Sequence, residues 1–556
     1  MTALERPQYK VWPEGRPHEL EAPEGTLWEN LAATAARVPD KPSMIFYGTD
    51  IPFSEVMETA ERLAGWLEAE AGVKPGDRVA VYSQNCPQYV IASYAILRAG
   101  GVVVPVNPMN LADEVRHMLA DSGAVAIFCA QDLAVHMLGA LDGTPVRKAV
   151  MIHYADYLRE ETDLAVPAFL TEKATMPDDP RCVAWSDAVS AGHAPPAYRQ
   201  VTDDLAFLPY TSGSTGRSKG CRHTNGTTIH ALRAMYEWFG VTGDDVVLAV
   251  APMFHVVGLQ GCMNAPLKYG ATTVIVPRWD RDLVSRLIEQ HRITAWPAVP
   301  TMAIDLLANP NLGQYDISSI RLMFGGGIAM PEAVAAKLKD LCGISFLEGY
   351  GLTETMAPGT ANPVQKPLAQ CGGVPVFNTD MKIVDPDTLA DVPVGEVGEI
   401  LLAGPQILLG YWNRPDADAE SFVDLHGKRF FRTGDLGRTT DEGYVFIVDR
   451  IKRMINASGF KVWPTEVEAT LYKHPGVEEA CVIAAMDPKR GETVKAVVVL
   501  RHDAGDISEE EFIRWARGQM AAYKVPRIVQ FVESLPKSGS GKVLWRQLQE
   551  AEKAGR

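Results

Sequence analysis

The sequence predicts an α/β protein: a large N-terminal domain of mixed α/β sheets with a β-rich portion, followed by a small α+β C-terminal domain. Three observations carry this. Short apolar runs alternate with helical stretches through the first third of the chain, as crossover units on a largely parallel sheet do. Later runs, Gly398–Leu402 and Tyr444–Val448, read as antiparallel β structure. Around Asp449-Arg450-Ile451-Lys452 the character changes to a compact α+β pattern, which places a domain boundary near residue 450.

Taken in order, Arg78–Ser83 reads as a strand, Pro87–Arg98 as a helix and Val102–Val106 as a strand. Leu111–Asp121 is helical and Ala124–Phe128 is again a strand. The stretch from Tyr154 to Trp185 is richer in charge and proline and is expected as a surface excursion. From Leu205 onward strands end in loops of Gly, Ser and Thr, and ligands of open α/β sheets sit at such strand ends. In the last part, Pro464–Tyr472 is a helix opened by proline. Ala480–Ala485 and Val494–Leu500 are strands, and Glu509–Met520 is an amphipathic helix.

Composition narrows the function. The 556 residues exceed one ordinary core. The net charge of −16 argues against a general nucleic-acid binder, which needs a basic face. The N-terminus lacks a signal-type apolar core, and no run of about 18 apolar residues appears. The nearest candidate, Tyr89–Val106, is broken by Arg98 and by Gly100-Gly101. The 8 cysteines are scattered without metal-ligand spacing, which suits core thiols in a reducing cytoplasm.

The sharpest segment is Tyr210-Thr-Ser-Gly-Ser-Thr-Gly-Arg-Ser-Lys-Gly220, directly after the apolar run Leu205–Leu208. Gly213, Gly216 and Gly220 let backbone approach a ligand. Thr211, Ser212, Ser214 and Thr215 supply hydroxyls, and Lys219 supplies charge. Such a loop wraps phosphate oxygens, although it lacks the Walker A spacing.

With this loop the sequence resembles the adenylate-forming superfamily: acyl-CoA synthetases, adenylation domains of peptide synthetases, and luciferase. Ser218 departs from the family, which usually has proline before the lysine. The resemblance covers nearly the whole chain. Pro252-Met-Phe-His255 matches the segment whose histidine lines the acyl site, and Gly325-Gly326-Gly327 the turn against adenine. Glu348-Gly349-Tyr350-Gly351-Leu-Thr353-Glu354-Thr355 matches the central motif, and Arg432-Thr-Gly-Asp435 the ribose-holding motif. Asp449 to Lys461 matches the hinge and the start of the small domain, and Pro536 to Lys542 the catalytic-lysine loop. The resemblance therefore implies domains at 1–450 and 453–556, the second one mobile, with a hinge at 451–452 and Lys452 as pivot.

It also implies an ATP-dependent ligase that makes an acyl-adenylate, then a CoA thioester, using Mg²⁺. Attack of a carboxylate on the α-phosphate joins two anions, so cations must stand where charge gathers. Lys542 supplies one, and Glu354 with Thr211 suits Mg²⁺. Tyr350 offers an aromatic face to adenine, and Asp435 and Arg450 serve the nucleotide. Ser458, Gly459 and Lys461 are expected at CoA, with Arg453 a second candidate for its phosphates. His255, Val256, Val257, Val299 and Met302 are expected around the acyl chain, with Gly325–Gly327 leaving its floor open. Trp545 stands where relatives carry a basic residue and is given no role. The motif forms look most like fatty acyl-CoA synthetases, so the expected acid is a medium- to long-chain fatty acid. The alternative is an enzyme that loads an aromatic or branched acid onto CoA or a carrier protein. The expected enzyme is cytoplasmic, and a homodimer stays open.

Overall fold

The computed structural model describes residues 6–211, 218–327, 330–457, 460–487, 491–537 and 543–554. The chain divides into two compact units, one of residues 1–380 with 403–422, the other of residues 381–402 with 423–556.

In the first unit, buried apolar strands alternate with helices and build two largely parallel sheets. Among the described residues, one sheet runs Cys182–Ala184, Lys148–Ile152, Ala126–Ala130, Arg78–Tyr82, Val102–Val106, Leu205–Phe207 and His223–Thr224, in that spatial order. All pairs are parallel except the last. The helix Pro87–Arg98 falls where its sequence places it, opened by Pro87 and buried along its whole length. Gly123 ends the helix Ala112–Ser122 in a left-handed conformation, so the next strand begins at Ala126, two residues after its expected start.

The second sheet has nine strands among the described residues. Its parallel centre runs Phe346–Tyr350, Leu322–Gly326, Ala295–Ala298, Val246–Ala249, Thr272–Ile275 and Pro42–Phe46. Short antiparallel strands close both edges. At the centre the backbones come unusually close. A Cβ on Gly325 would lie 1.8 Å from the Ala298 carbonyl oxygen, and one on Gly326 would lie 2.2 Å from that of Gly349. Strand contact, rather than room for a substrate, thus accounts for these two missing side chains.

Tyr154–Trp185 is more than the surface excursion expected. Tyr154, Tyr157, Leu164, Leu170 and Trp185 are all buried, and Cys182–Ala184 adds an edge strand. Its apolar anchors are too widely and irregularly spaced to show as a periodic pattern.

The second unit contains two five-stranded sheets among the described residues. One holds Gly398–Ala403, Lys428–Thr439 and Val445–Arg450, in antiparallel pairing. The other centres on Val477–Asp487 and Gly491–Leu500, with the helices Pro464–Leu471 and Glu509–Arg517. Val482, Ala496, Val498, Leu471 and Phe512 belong to its core. The break expected at 451–452 falls inside this unit, at the short turn Ile451–Arg453 between the two sheets. Helix Trp545–Ala554 is tied on by Gln549, whose amide accepts from Ala484 N (2.9 Å) and donates to Ala484 O (2.7 Å).

The described cysteines are free thiols, mostly buried, and burial pushes Cys86 and Cys481 up to about 12. These are core residues, as their scatter suggested.

Replacing Gly325 by alanine is expected to force the central strands apart and destabilise the protein by about 3 kcal/mol or more. Gly313→Ala, where a Cβ meets nothing within 4 Å, serves as control and should be neutral. Urea unfolding of both variants checks this.

Candidate active site

The parallel strands of the second sheet end together. Ala298 pairs with Gly325, Gly325 with Glu348, and Gly326 with Gly349. Val299, Gly327, Tyr350 and Gly351 therefore leave neighbouring strands at one edge. The carboxyl edge of an open α/β sheet is where ligands are bound.

The loop 211–219 hangs from a closed base. Thr211 N donates to Lys219 O (3.0 Å), Lys219 N donates to Thr211 Oγ1 (3.3 Å), and Tyr210 bridges to Gly220. Tyr210 Oη donates to Asp121 Oδ2 (2.8 Å), and Arg414 pairs with the other oxygen of the same carboxylate (2.6 Å). His117 Nε2 lies 3.2 Å from Ser218 O, so a side chain tethers the position where relatives carry proline. Ser212, Gly213, Ser214, Thr215 and Gly216 lie outside the described residues, as do Ser458, Gly459 and Lys542. Of Lys461 only the backbone is described.

The central motif is held from several sides. His223, fully buried, places Nε2 at 2.9 Å from Thr353 O. Leu408 N donates to Glu354 O (2.9 Å), and Leu352 N donates to Thr355 Oγ1 (2.8 Å). Glu354 Oε1 accepts from Tyr411 Oη (2.8 Å), and Lys219 Nζ stands 4.1 Å from the Tyr411 ring centroid. The structure thus brings Thr211, Lys219, Thr353 and Glu354 into one network.

Glu348 turns out to serve the backbone. Its carboxyl accepts from Met330 N (3.1 Å) and Gln370 N (2.7 Å), and burial pushes its pKa up to about 7. His255 lies beyond the strand Val246–Ala249. It caps the short helical turn Val256–Gly258, because Gly258 fits closely against the Pro252 carbonyl. Val256 is buried, while Val257, Val299 and Met302 are half-buried.

In the second unit, Asp435 and Arg450 pair across the antiparallel ladder, with Nε 2.8 Å from Oδ1. Thr433 Oγ1 supports this turn by accepting from Asp435 N (3.0 Å) and donating to Ile400 O (2.8 Å). Lys452 is exposed. Arg453 is not an open candidate for CoA: it binds Glu468 (2.5 Å) and Val482 O (3.2 Å) and stacks 5.5 Å from Trp545. The Trp545 ring thereby gains a structural contact that its sequence position did not suggest.

Sequence reasoning missed Tyr411, His223 and Asp121. None stands within a motif quoted above, and no periodicity marks them. Tyr411 becomes legible only when the segment Leu409–Trp412 zips onto Gly220–Arg222, through Arg222 N to Gly410 O (3.0 Å) and Trp412 N to Gly220 O (2.8 Å), and His223 and Asp121 only through their contacts with Thr353 and Tyr210.

Burial lowers the His223 pKa from 6.5 to about 4, so folded His223 is neutral where the unfolded chain binds a proton. Stability from this group is present above about 6.5 and is lost as pH falls towards about 4. The expected result is a slope up to about 1.4 kcal/mol per pH unit shallower in His223→Gln than in the parent over that window, read by urea unfolding.

Comparison with known proteins adds to this geometry. The AMP-binding enzyme family matches residues 31–412, and the AMP-binding enzyme C-terminal domain matches residues 466–542. The chain is 35% identical over 558 residues to a long-chain-fatty-acid–CoA ligase of Bacillus subtilis, covering 99% of this chain and 98% of that protein. It is 37% identical over 502 residues to a feruloyl-CoA synthase of Amycolatopsis, covering 89% and 93%. Among solved structures, ATP-bound MatB from Rhodopseudomonas palustris superposes with a TM-score of 0.83 at 28% identity, covering 96% and 99%. The phosphate-type loop, the strand-end motifs and these matches agree: the chain belongs to the AMP-binding enzyme family, the adenylate-forming superfamily, and within it is most like the fatty acyl-CoA synthetases.

Proposed function

We propose that this acid–thiol ligase activates a medium- to long-chain fatty acid with ATP and transfers the acyl group to CoA. The observation that carries the ligase reading is the joint placement of Glu354, Lys219 and the base of the hydroxyl loop beside the carboxyl edge of a parallel sheet. Apolar Val256, Val257, Val299 and Met302 follow two neighbouring strands of that sheet, which supports an apolar acid. The 35% identity to a long-chain-fatty-acid–CoA ligase supports it too. The 37% identity to a feruloyl-CoA synthase favours an aromatic acid as the second reading.

In the first half-reaction a carboxylate oxygen bonds to the α-phosphorus of ATP, and the bond to pyrophosphate breaks. Lys219 and the loop hydroxyls hold the phosphates, and Lys542 offsets charge on the transferring group. Tyr350 lies against adenine and Asp435 holds the ribose. In the second half-reaction the CoA sulfur bonds to the acyl carbon, AMP leaves, and the thiol proton passes to solvent. His255 stands between acyl chain and thiol, and Lys452, in the hinge 451–452, is the pivot between the two steps.

The donor set fits Mg²⁺. Among the described residues no group of three or more His, Cys, Asp or Glu could hold a metal. A single carboxylate, Glu354, with the Thr211 hydroxyl suits an ion that keeps waters and shares phosphate oxygens. Bound Mg²⁺ supplies neutralisation of phosphate charge. We place the enzyme in the cytoplasm, as a monomer or homodimer. Among the described residues no helix is long and apolar enough to cross a membrane.

Pyrophosphate release across a panel of acids tests the substrate. Each added methylene contributes about 0.8 kcal/mol, so kcat/KM should climb about fourfold per carbon until the pocket ends, then drop. A flat profile, or preference for a cinnamate or benzoate, rejects the fatty-acid reading. Lys542→Ala should abolish adenylation yet leave thioester formation from supplied acyl-AMP largely intact. Equal loss of both half-reactions in a folded variant would remove Lys542 from its assigned step.

A further inference from the structure

Tyr411 belongs to no motif quoted above, yet it touches both charged groups of the nucleotide site. Its hydroxyl donates to Glu354 Oε1 over 2.8 Å, and its ring centroid lies 4.1 Å from Lys219 Nζ. The residue is only 4% exposed. Its backbone is fixed as firmly as its side chain. Tyr411 N donates to Asp418 Oδ1 (2.7 Å), Tyr411 bridges to Cys221, and Asp418 in turn lies 3.6 Å from Arg222.

The chemistry of the three groups is complementary. A phenol hydroxyl donates and a carboxylate oxygen accepts, while the aromatic face suits an ammonium. A lysine and a glutamate in a direct ion pair would neutralise each other. Here each meets the tyrosine instead, the carboxylate at its hydroxyl and the ammonium at its ring face. A hydrogen bond to one oxygen fixes the rotation of a carboxylate and leaves the other oxygen for a metal, as outer-shell partners of metal ligands do.

We propose that Tyr411 is a positioning residue for the ATP half-reaction: its hydroxyl aims Glu354 at Mg²⁺, and its ring holds Lys219 at the base of the phosphate loop. The hydroxyl half of this inference rests on Glu354 being the Mg²⁺ ligand. The two halves act on different species. The hydroxyl affects only binding that depends on the metal. The ring affects the nucleotide with or without it.

Calorimetric titration of ATP, once with Mg²⁺ at graded concentrations and once in EDTA, separates them in the full-length protein. Tyr411→Phe keeps the ring, so ATP affinity in EDTA should match the parent while half-saturating Mg²⁺ rises about tenfold. Tyr411→Leu loses the ring as well and should also weaken ATP in EDTA about fivefold. Glu354→Gln is the control on the underlying reading. If it leaves the Mg²⁺ response unchanged, Glu354 is not the ligand and that reading fails. If it abolishes the response while Tyr411→Phe titrates like the parent, the hydroxyl half is overturned. Equal weakening of Tyr411→Phe in EDTA and in Mg²⁺ would also overturn it, by showing a merely structural loss. Should Tyr411→Leu fold poorly, Tyr411→Trp keeps an aromatic face without the phenol. Parent-like EDTA affinity in a folded Leu variant, or loss of that affinity in a folded Trp variant, would overturn the ring half.

Discussion

Close approach of three parallel strands is the constraint on which the site depends. Ala298, Gly325 and Glu348 stand in register, and the missing Cβ atoms at Gly325 and Gly326 let carbonyl groups of the flanking strands come against them. A parallel sheet buried on both faces tolerates little displacement, since its interior is close-packed. Register at the centre therefore fixes where Val299, Gly327 and Tyr350 leave the sheet. Groups expected around the acid and the adenine start from one edge for that reason.

On this frame a second device operates. The segment Leu409–Trp412 lies along Gly220–Arg222 through backbone bonds and carries Tyr411 between the base of the hydroxyl loop and the central motif. His223 fastens the same motif from within the core, through the Thr353 carbonyl. Asp121 fastens the loop base, through Tyr210 and Arg414. Acidic and basic groups destined for a phosphate substrate repel or neutralise one another when left loose. The neutral phenol of Tyr411 meets Glu354 and Lys219 without consuming either charge, while His223 and backbone amides fix the main chain of the motif.

The charged groups of the second unit follow a different logic. Arg453 is consumed by Glu468 and by stacking on Trp545, in a setting where an uncompensated charge would be costly. Arg450 meets Asp435 directly across a ladder. The family resemblance implied ligand binding for Arg453 and Arg450 alike. Partners outside the local sequence pattern decide which charges remain for a ligand.

Much was legible in the sequence because the signals are local. Alternating apolar runs fixed the α/β class, Pro87 opened a helix at its true start, and the density of hydroxyls beside Lys219 marked the loop. The motifs identified the family, since each needs its residue types at short spacing. What tertiary structure alone decided is non-local. It made Glu348 a buried backbone anchor, set His255 at the start of a short helical turn, and buried Tyr154 to Trp185 through scattered anchors. It also brought Tyr411 to Glu354 across 57 positions of chain. Periodicity and spacing report how a residue relates to its near neighbours. Which distant carbonyl, carboxylate or ring it meets depends on how strands pair and segments zip together, and no local pattern carries that information.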